Sequence, residues 1–294
     1  MNIVVMKTFC DLVDTGSFSR AAESNYVSQS AVSQQLAKLE QDLSVQLVAR
    51  GGGLVTPTEA GRTYYAGAKD IVRRYEQLLG EVKSASDSVR GVLRVGTIYS
   101  VGFYLLDQFV REFFQKHPDV NLHVSYTGWN DIYAAIISGE MDLGVVACPE
   151  KTRSIEIVPL ASEELVVVCA PEHPLAGQKT VSPKNLAGLA FVAFEANIPT
   201  RRHIDGLLKR SRVSVDVAME FDNIELLKRA IMVGSGVGIL PKANIHDEAA
   251  RGDLACIPFK NPAQWQRPVG VLRRRGKNPG PAERMFLSIL RLPV

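Results

Sequence analysis

The sequence predicts an α/β protein in three parts: an N-terminal winged helix-turn-helix, a long linker helix, and two Rossmann-like α/β lobes joined by two crossing strands. Three observations carry this expectation. Residues 17–62 pack two short amphipathic helices and a Gly-rich loop into one stretch. Residues 57–89 then keep a helical apolar period for about 30 residues, long for a globular helix. Beyond Gly91, strand-like apolar runs alternate with helical ones, the rhythm of parallel βαβ units.

Residues 2–15 carry Val5, Phe9, Leu12 and Val13 at helical spacing, and Gly16 ends that helix. Ala21 and Ala22 are small enough for two helices to cross closely there. Ser28 is placed to cap a second helix by accepting an orphan backbone N–H. In that helix Val32, Leu36, Leu39 and Leu43 form a single stripe. Burying the stripe turns Gln29, Ser30, Ser33, Gln34 and Lys38 outward, with no carboxylate before Glu40. The start of such a helix fits the DNA major groove, where Gln pairs with adenine and Ser bonds a base or a phosphate. Gln29, Ser33 and Gln34 are therefore the expected base contacts. Ser28, Ser30, Lys38 and Thr58 are expected at phosphates. Arg50, opening the loop Gly51–Gly53, is expected at a minor groove.

Thr56-Pro57-Thr58-Glu59 reads as the start of the long helix, with Thr56 as cap and Pro57 in the first turn. Tyr64, Ala68, Ile71, Tyr75, Leu78 and Val82 mark its apolar seam. A stripe of that length needs a partner, and the same helix of a second chain is the simplest one. Ser84–Ser88 is small and polar, a hinge. The predicted domains are 1–58 for DNA binding, 59–90 for linker and dimerisation, and 91–294 for regulation.

In the third part, strands are predicted at 92–98, 120–126, 142–148, 189–194, 215–221 and 236–241. Helices are predicted at 102–117, 129–141, from Thr200 to Lys209, and from Ile224 to Val233. Residues 163–171 and 268–275 read as the crossing strands, and 279–291 as a last helix. Lobe I then covers 91–162 and 268–294, and lobe II covers 163–267.

Ligands of open α/β sheets sit beyond the carboxyl ends of strands, at the N-termini of the following helices. Two turns meet that description. Thr97, Ser100, Val101 and Gly102 lie after the first strand. Asn197, Thr200, Arg201 and Arg202 lie after strand 189–194. Hydroxyls, helix N-termini and one guanidinium would suit a small anion. Arg201 and Arg202 project about 100° apart on a helix, so at most one faces the ligand. The glycines at 234, 236 and 238 follow a helix and enter a strand, the reverse of a dinucleotide motif, and read as a helix end and tight turn.

Composition bounds the remaining classes. Apolar content is that of a globular protein, no run of 18 apolar residues occurs, and no membrane partner is expected. The segment MNIVVMKTFCDLVDTG lacks the basic start and cleavage site of a signal peptide. Together with four scattered cysteines this predicts a cytoplasmic protein. The five histidines show no ligand spacing, so neither a metal nor another cofactor is expected. Net charge is +3, yet residues 1–56 hold four basic residues (7, 20, 38 and 50) against five acidic ones (11, 14, 23, 40 and 42). That weak field predicts modest DNA affinity per monomer and dependence on several copies.

The run SFSRAAESNYVSQSAVSQQLAKLEQDLSVQLVAR followed by TPTEAG resembles the LysR-type transcriptional regulators. Val48 stands where that family usually has Phe, and Gln34 where many members have Arg. The resemblance implies a type 2 periplasmic-binding-protein-like effector domain, a linker helix that pairs two chains, and dimers of dimers. It implies double-stranded operator DNA, a small-molecule effector and RNA polymerase as partners, and no enzymatic activity. The competing reading is an α/β enzyme with an appended DNA-targeting module. Glu195 is its one candidate acid in the cleft, and no Ser/His/Asp or Cys/His set is legible.

Overall fold

The computed structural model describes residues 2–49, 55–84 and 91–293, with the backbone alone at 77 and 80–84. The chain forms two compact units, Met1–Gly91 and Val92–Val294.

In the first unit, α1 (Ile3–Thr15) is capped by Asn2 and closed by Gly16, whose φ of 62° suits glycine. α2 (Phe18–Ser24) starts at the Ser17 cap. α3 (Gln29–Leu43) starts at Ser28, whose hydroxyl accepts from Ala31 N, as expected of a helix-turn-helix. The turn between them is held by Asn25 Nδ2, which donates to Asp11 Oδ2 at 2.7 Å and to Ala21 O at 2.8 Å. Ala21, Ala22, Leu12 and Val32 are buried together at the helix crossing. Val32 and Leu39 are buried, while Leu36 and Leu43 are half-buried at the margin of the core.

β1 (Val48–Ala49) and β2 (Thr56–Pro57) pair antiparallel and form the base of the wing. The expected wing arginine, Arg50, and the glycines after it lie outside the described residues. α4 (Glu59–Ser84) follows. Its cap is Thr58 and not Thr56: the Thr58 hydroxyl accepts from Gly61 N at 3.0 Å, while Thr56 is in the wing strand. Gly61 is required because a Cβ there would come within 1.9 Å of Leu47 O. The first turns of α4 pack on α1 through Ala68, Met6 and Cys10, and Phe9 meets the Tyr64 ring edge-on at 5.2 Å. Further along, Ile71, Tyr75, Leu78 and Leu79 are 40–50% exposed. The proposed hinge after Ser84 lies outside the described residues.

The second unit opens with β3 (Gly91–Thr97). The helix after it begins at Tyr99, not Gly102. It comprises α5 (Tyr99–Val101), a π-turn over Gly102–Leu106, and α6 (Asp107–Lys116). β4 (Val120–Tyr126), α7 (Trp129–Ser138) and β5 (Leu143–Ala147) complete the first run. β6 (Ile155–Cys169) is a 15-residue strand that starts eight residues before the expected position. β7 (Ala190–Phe194), α8 (Pro199–Arg210), β8 (Asp216–Phe221), α9 (Ile224–Met232) and β9 (Gly238–Pro241) form the second run. α10 (His246–Arg251) and β10 (Ala255–Pro258) were not legible in the sequence. β11 (Gln266–Arg274) and α11 (Pro281–Ile289) close the chain.

Strand order in the main sheet is β10-β6-β11-β5-β3-β4, with β9 also on β6. β3 and β5 are parallel, as are β7 and β8. β6 pairs antiparallel with β11 over Ile155–Glu164, then with β9 and β10 over Leu165–Cys169. One strand thus serves two cores. The first holds Ile132, Ile136, Val146, Ile155 and Leu272, and the second runs from Leu165 through Phe191, Leu227 and Ile239. Between these cores the carboxyl ends of β3, β5 and β7 face a common cleft. Among the described residues no helix is long and apolar enough to cross a membrane.

Candidate functional site

The outward face of α3 is the first candidate. Ser28, Gln29, Ser30, Ser33, Gln34 and Lys38 are all exposed. The reason is local: Val32 and Leu39 are drawn into the core, which turns Ser33, Gln34 and Lys38 away from it, while Ser28, Gln29 and Ser30 stand exposed at the helix start. Glu40, the first carboxylate of the helix, is turned off this face. Its Oε1 accepts from Leu47 N at 2.7 Å and from Val48 N at 3.2 Å, tying α3 to the wing strand. Two of the expected phosphate ligands have internal duties. Ser28 caps α3 and meets Ser30 Oγ at 2.9 Å. Thr58 donates its hydroxyl proton to Gln46 O at 2.8 Å and caps α4, so only its second lone pair is uncommitted. Tyr26, not singled out from the sequence, is 97% exposed in the turn before α3, with φ at 55°.

The second candidate is a cavity of about 360 Å³ in the cleft of the second unit. Four βα turns supply its walls. Ser100 comes from the first turn of α5, Thr127–Asp131 from the start of α7, Asn197–Thr200 from the start of α8, and Asn223 from the cap of α9. Asn223 Oδ1 accepts from Glu225 N at 2.8 Å and so caps its own helix. Ile98, Gly128 and Ile198 begin the other three with no side-chain cap, so first-turn N–H groups are left for what enters the cavity, in α8 from Thr200 onward because Pro199 has none.

Ser100 is held from behind. Its hydroxyl oxygen accepts from Arg267 Nη1 at 3.2 Å, and its carbonyl accepts from Asn244 Nδ2 at 2.7 Å. Arg267 is fully buried, and its Nε and Nη2 donate to Glu163 Oε2 at 2.9 and 2.6 Å. With its oxygen already accepting, the Ser100 hydroxyl can present its proton to a ligand. Thr200, only 3% exposed, stands near Cys148. Burial pushes the pKa of the Cys148 thiol up to about 11, against the pull of Arg267 and of a hydrogen bond with Thr200.

Of the eight effector residues expected, Ser100, Asn197 and Thr200 line the cavity. Thr97 does not: it is buried and donates to Val145 O at 3.0 Å, stitching β3 to β5. Val101 points into the core, and Gly102 lies beneath Tyr126, whose ring a Cβ would meet at 2.4 Å. Arg201 faces away from the cavity, donating to Phe194 O, Glu220 and Asp205 on the outer side of α8. Arg202 stands at the rim. It donates to Asn197 O and to Glu150 Oε1, with its guanidinium 5.3 Å from the centre of the Trp129 ring. The α7 turn and the Arg267–Glu163 pair were not anticipated. Both residues of that pair lie on the crossing strands, but only the tertiary register brings them together. Three carboxylates, Asp131, Glu195 and Asp222, belong to the lining, and no lysine or arginine does.

Two family models match the chain. Residues 3–62 match the bacterial regulatory helix-turn-helix protein, lysR family, and residues 86–292 match the LysR substrate binding domain. A probable RuBisCO transcriptional regulator of Trichormus variabilis is 34% identical over 255 residues, covering 83% of this chain and 74% of that protein. A full-length OxyR variant from Pseudomonas aeruginosa superposes with a TM-score of 0.80 at 22% identity, covering 99% of this chain and 95% of that one. Full-length CbnR complexed with its target DNA gives 0.69 at 21% identity, with 99% of each chain covered. With a family model over most of its length and a second over its helix-turn-helix, this chain belongs to the LysR family of transcriptional regulators.

Proposed function

We propose that this regulator reads double-stranded operator DNA with the outward face of α3, and that a small molecule in the cleft of the second unit modulates this binding. The observation that carries the reading is the composition of that face: six exposed polar or cationic side chains, with the first carboxylate of the helix turned away to hold the wing. Gln29, Ser33 and Gln34 would meet base edges, Ser30 and Lys38 the backbone, and Arg50 a minor groove, with Ser28 and Thr58 contributing what their caps leave over.

The exposed seam of α4 favours assembly, since Ile71, Tyr75, Leu78 and Leu79 leave a helix face without cover in one chain. A second copy on that seam would give a dimer suited to a two-fold symmetric operator, and a pair of dimers would raise the avidity of a weakly charged DNA-binding unit. RNA polymerase is the candidate partner once DNA is bound, and the cytoplasm the expected compartment.

In the cleft, uncapped helix N-termini and the hydroxyls of Ser100 and Thr200 favour an anionic group on the ligand. A ligand touching both lobes shifts DNA affinity by its differential affinity for two arrangements of the oligomer. The test is selection of bound sequences from a genomic fragment library, followed by mobility-shift titration of a selected fragment with metabolite pools. Enrichment of a palindromic site whose affinity moves with one pool supports the reading. Indifference to sequence overturns it.

A further inference from the structure

We infer that the cleft takes a small zwitterion, an acid that carries an ammonium group, in preference to a dianion. This rests on the proposed effector role of the cleft and adds the chemical class of its occupant. The cavity is chemically sorted. At its base stand Ser100 and Thr200, both more than nine-tenths buried, between the first turns of α5 and α8. Arg267, through its bond to the Ser100 oxygen, turns that hydroxyl into a donor. These groups, with the uncapped N–H groups of α7 and α8, form a donor set that fits one carboxylate.

The walls are the reverse. Asp131 on α7, Glu195 before α8 and Asp222 before α9 bring three carboxylates from three separate turns to one cavity. Among the described residues none of the three is in an ion pair, and the hydrogen bond of Asp131 with Thr127 at 3.0 Å brings no positive charge. No cation of the lining balances them, and Arg202 at the rim is paired with Glu150. A second carboxylate on the ligand would enter a field of its own sign, whereas an ammonium group would find acceptors on several sides. The cavity volume, about 360 Å³, suits a small metabolite of amino-acid size.

The test uses the full chain and probes of matched skeleton. The twenty common L-amino acids and 4-aminobutanoate are compared with butanoate, succinate and the other corresponding monocarboxylates and dicarboxylates, first by thermal shift and then by calorimetry. The expected result is at least one amino acid that binds roughly tenfold or more tightly than its matched dicarboxylate. The triple variant Asp131→Asn, Glu195→Gln, Asp222→Asn should bring that amino acid down to its matched monocarboxylate, with the melting temperature of the free variant reporting its folding. A dicarboxylate that binds more tightly than its amino-acid counterpart, an advantage that survives the triple substitution, or silence of every amino acid would overturn the inference. Ser100→Ala and Thr200→Ala separate the two failures. A dicarboxylate whose binding needs both hydroxyls keeps the cleft as the effector site and removes the zwitterion. Binding indifferent to both removes the cleft itself.

Discussion

Arg267 donates from Nη1 to the hydroxyl oxygen of Ser100 at 3.2 Å, while its other nitrogens are held by Glu163. A crossing strand thus fixes a residue at the base of the cleft. Removing the guanidinium leaves the Glu163 charge buried without compensation. Arg267→Met should therefore cost about 3–5 kcal/mol in urea unfolding. The double variant Arg267→Met, Glu163→Met should recover most of that loss, because it removes both desolvation penalties at once. A double variant as unstable as the single would contradict this account of the pair.

A second network joins the two lobes. Lys228, 2% exposed, donates to Tyr104 Oη, Glu248 Oε1 and Asn244 O, and Tyr104 Oη donates to Glu225 Oε1 at 2.7 Å. Burial opposes ionisation of Glu248, but the hydrogen bond and charge of Lys228 outweigh it and hold its pKa below the ordinary value. A depressed carboxylate stabilises the fold above its unfolded pKa of about 4.3, and that contribution fades as pH falls through the lower folded value. Unfolding midpoints of the wild type and Lys228→Met, followed from pH 7 to pH 3, should therefore converge on the acid side. A constant gap across that range would show that Glu248 is not the titrating partner.

The two adjacent arginines of α8 should separate cleanly. Arg202→Ala removes a rim contact to Asn197, Glu150 and Trp129 and should change ligand affinity. Arg201→Ala should leave ligand affinity alone and lower stability by about 1–2 kcal/mol, since its carbonyl and carboxylate partners lose a donor. Calorimetry and urea unfolding of the same two proteins check both statements.

The behaviour of these arginines shows what a sequence can and cannot specify. Helical periodicity set them on different faces, but which face met the cleft depended on how α8 lies against β7, a tertiary matter. Local signals fared well where one residue type had one physical use: the Ser28 cap, the Gly16 stop, and the buried small residues Ala21 and Ala22. They misled where two threonines competed for one cap, because the two-residue strand around Thr56 is too short to show a period. The first half of β6 was illegible because Glu156, Pro159 and Ser162 break its apolar run, and its pairing with β11 supplies what composition does not. In the cleft, the acids could be read as residues but not as neighbours, since they come from three turns distant in sequence.

The seam of α4 should be separable from its root. Ile71→Glu and Leu78→Glu fall on exposed positions and should alter the stability of one chain by less than about 0.5 kcal/mol. Both should weaken dimerisation and DNA binding together. Ala68→Glu, which puts a charge among Met6 and Cys10, should destabilise the first unit outright. Sedimentation across micromolar concentrations is the check, and a wild-type chain that remains monomeric there would remove the seam as a pairing surface.

Sequence reading by α3 is tested by the affinity of Gln29→Ala and Gln34→Ala for the selected operator and for random DNA at one fixed salt concentration. Both glutamines are exposed, Gln29 in the first turn of α3 and Gln34 on the side away from the buried Val32. Each variant should lose about 1–3 kcal/mol on the operator, change little on random DNA, and show relaxed preference at a single base position. Equal losses on operator and random DNA for both variants would contradict sequence reading by this helix.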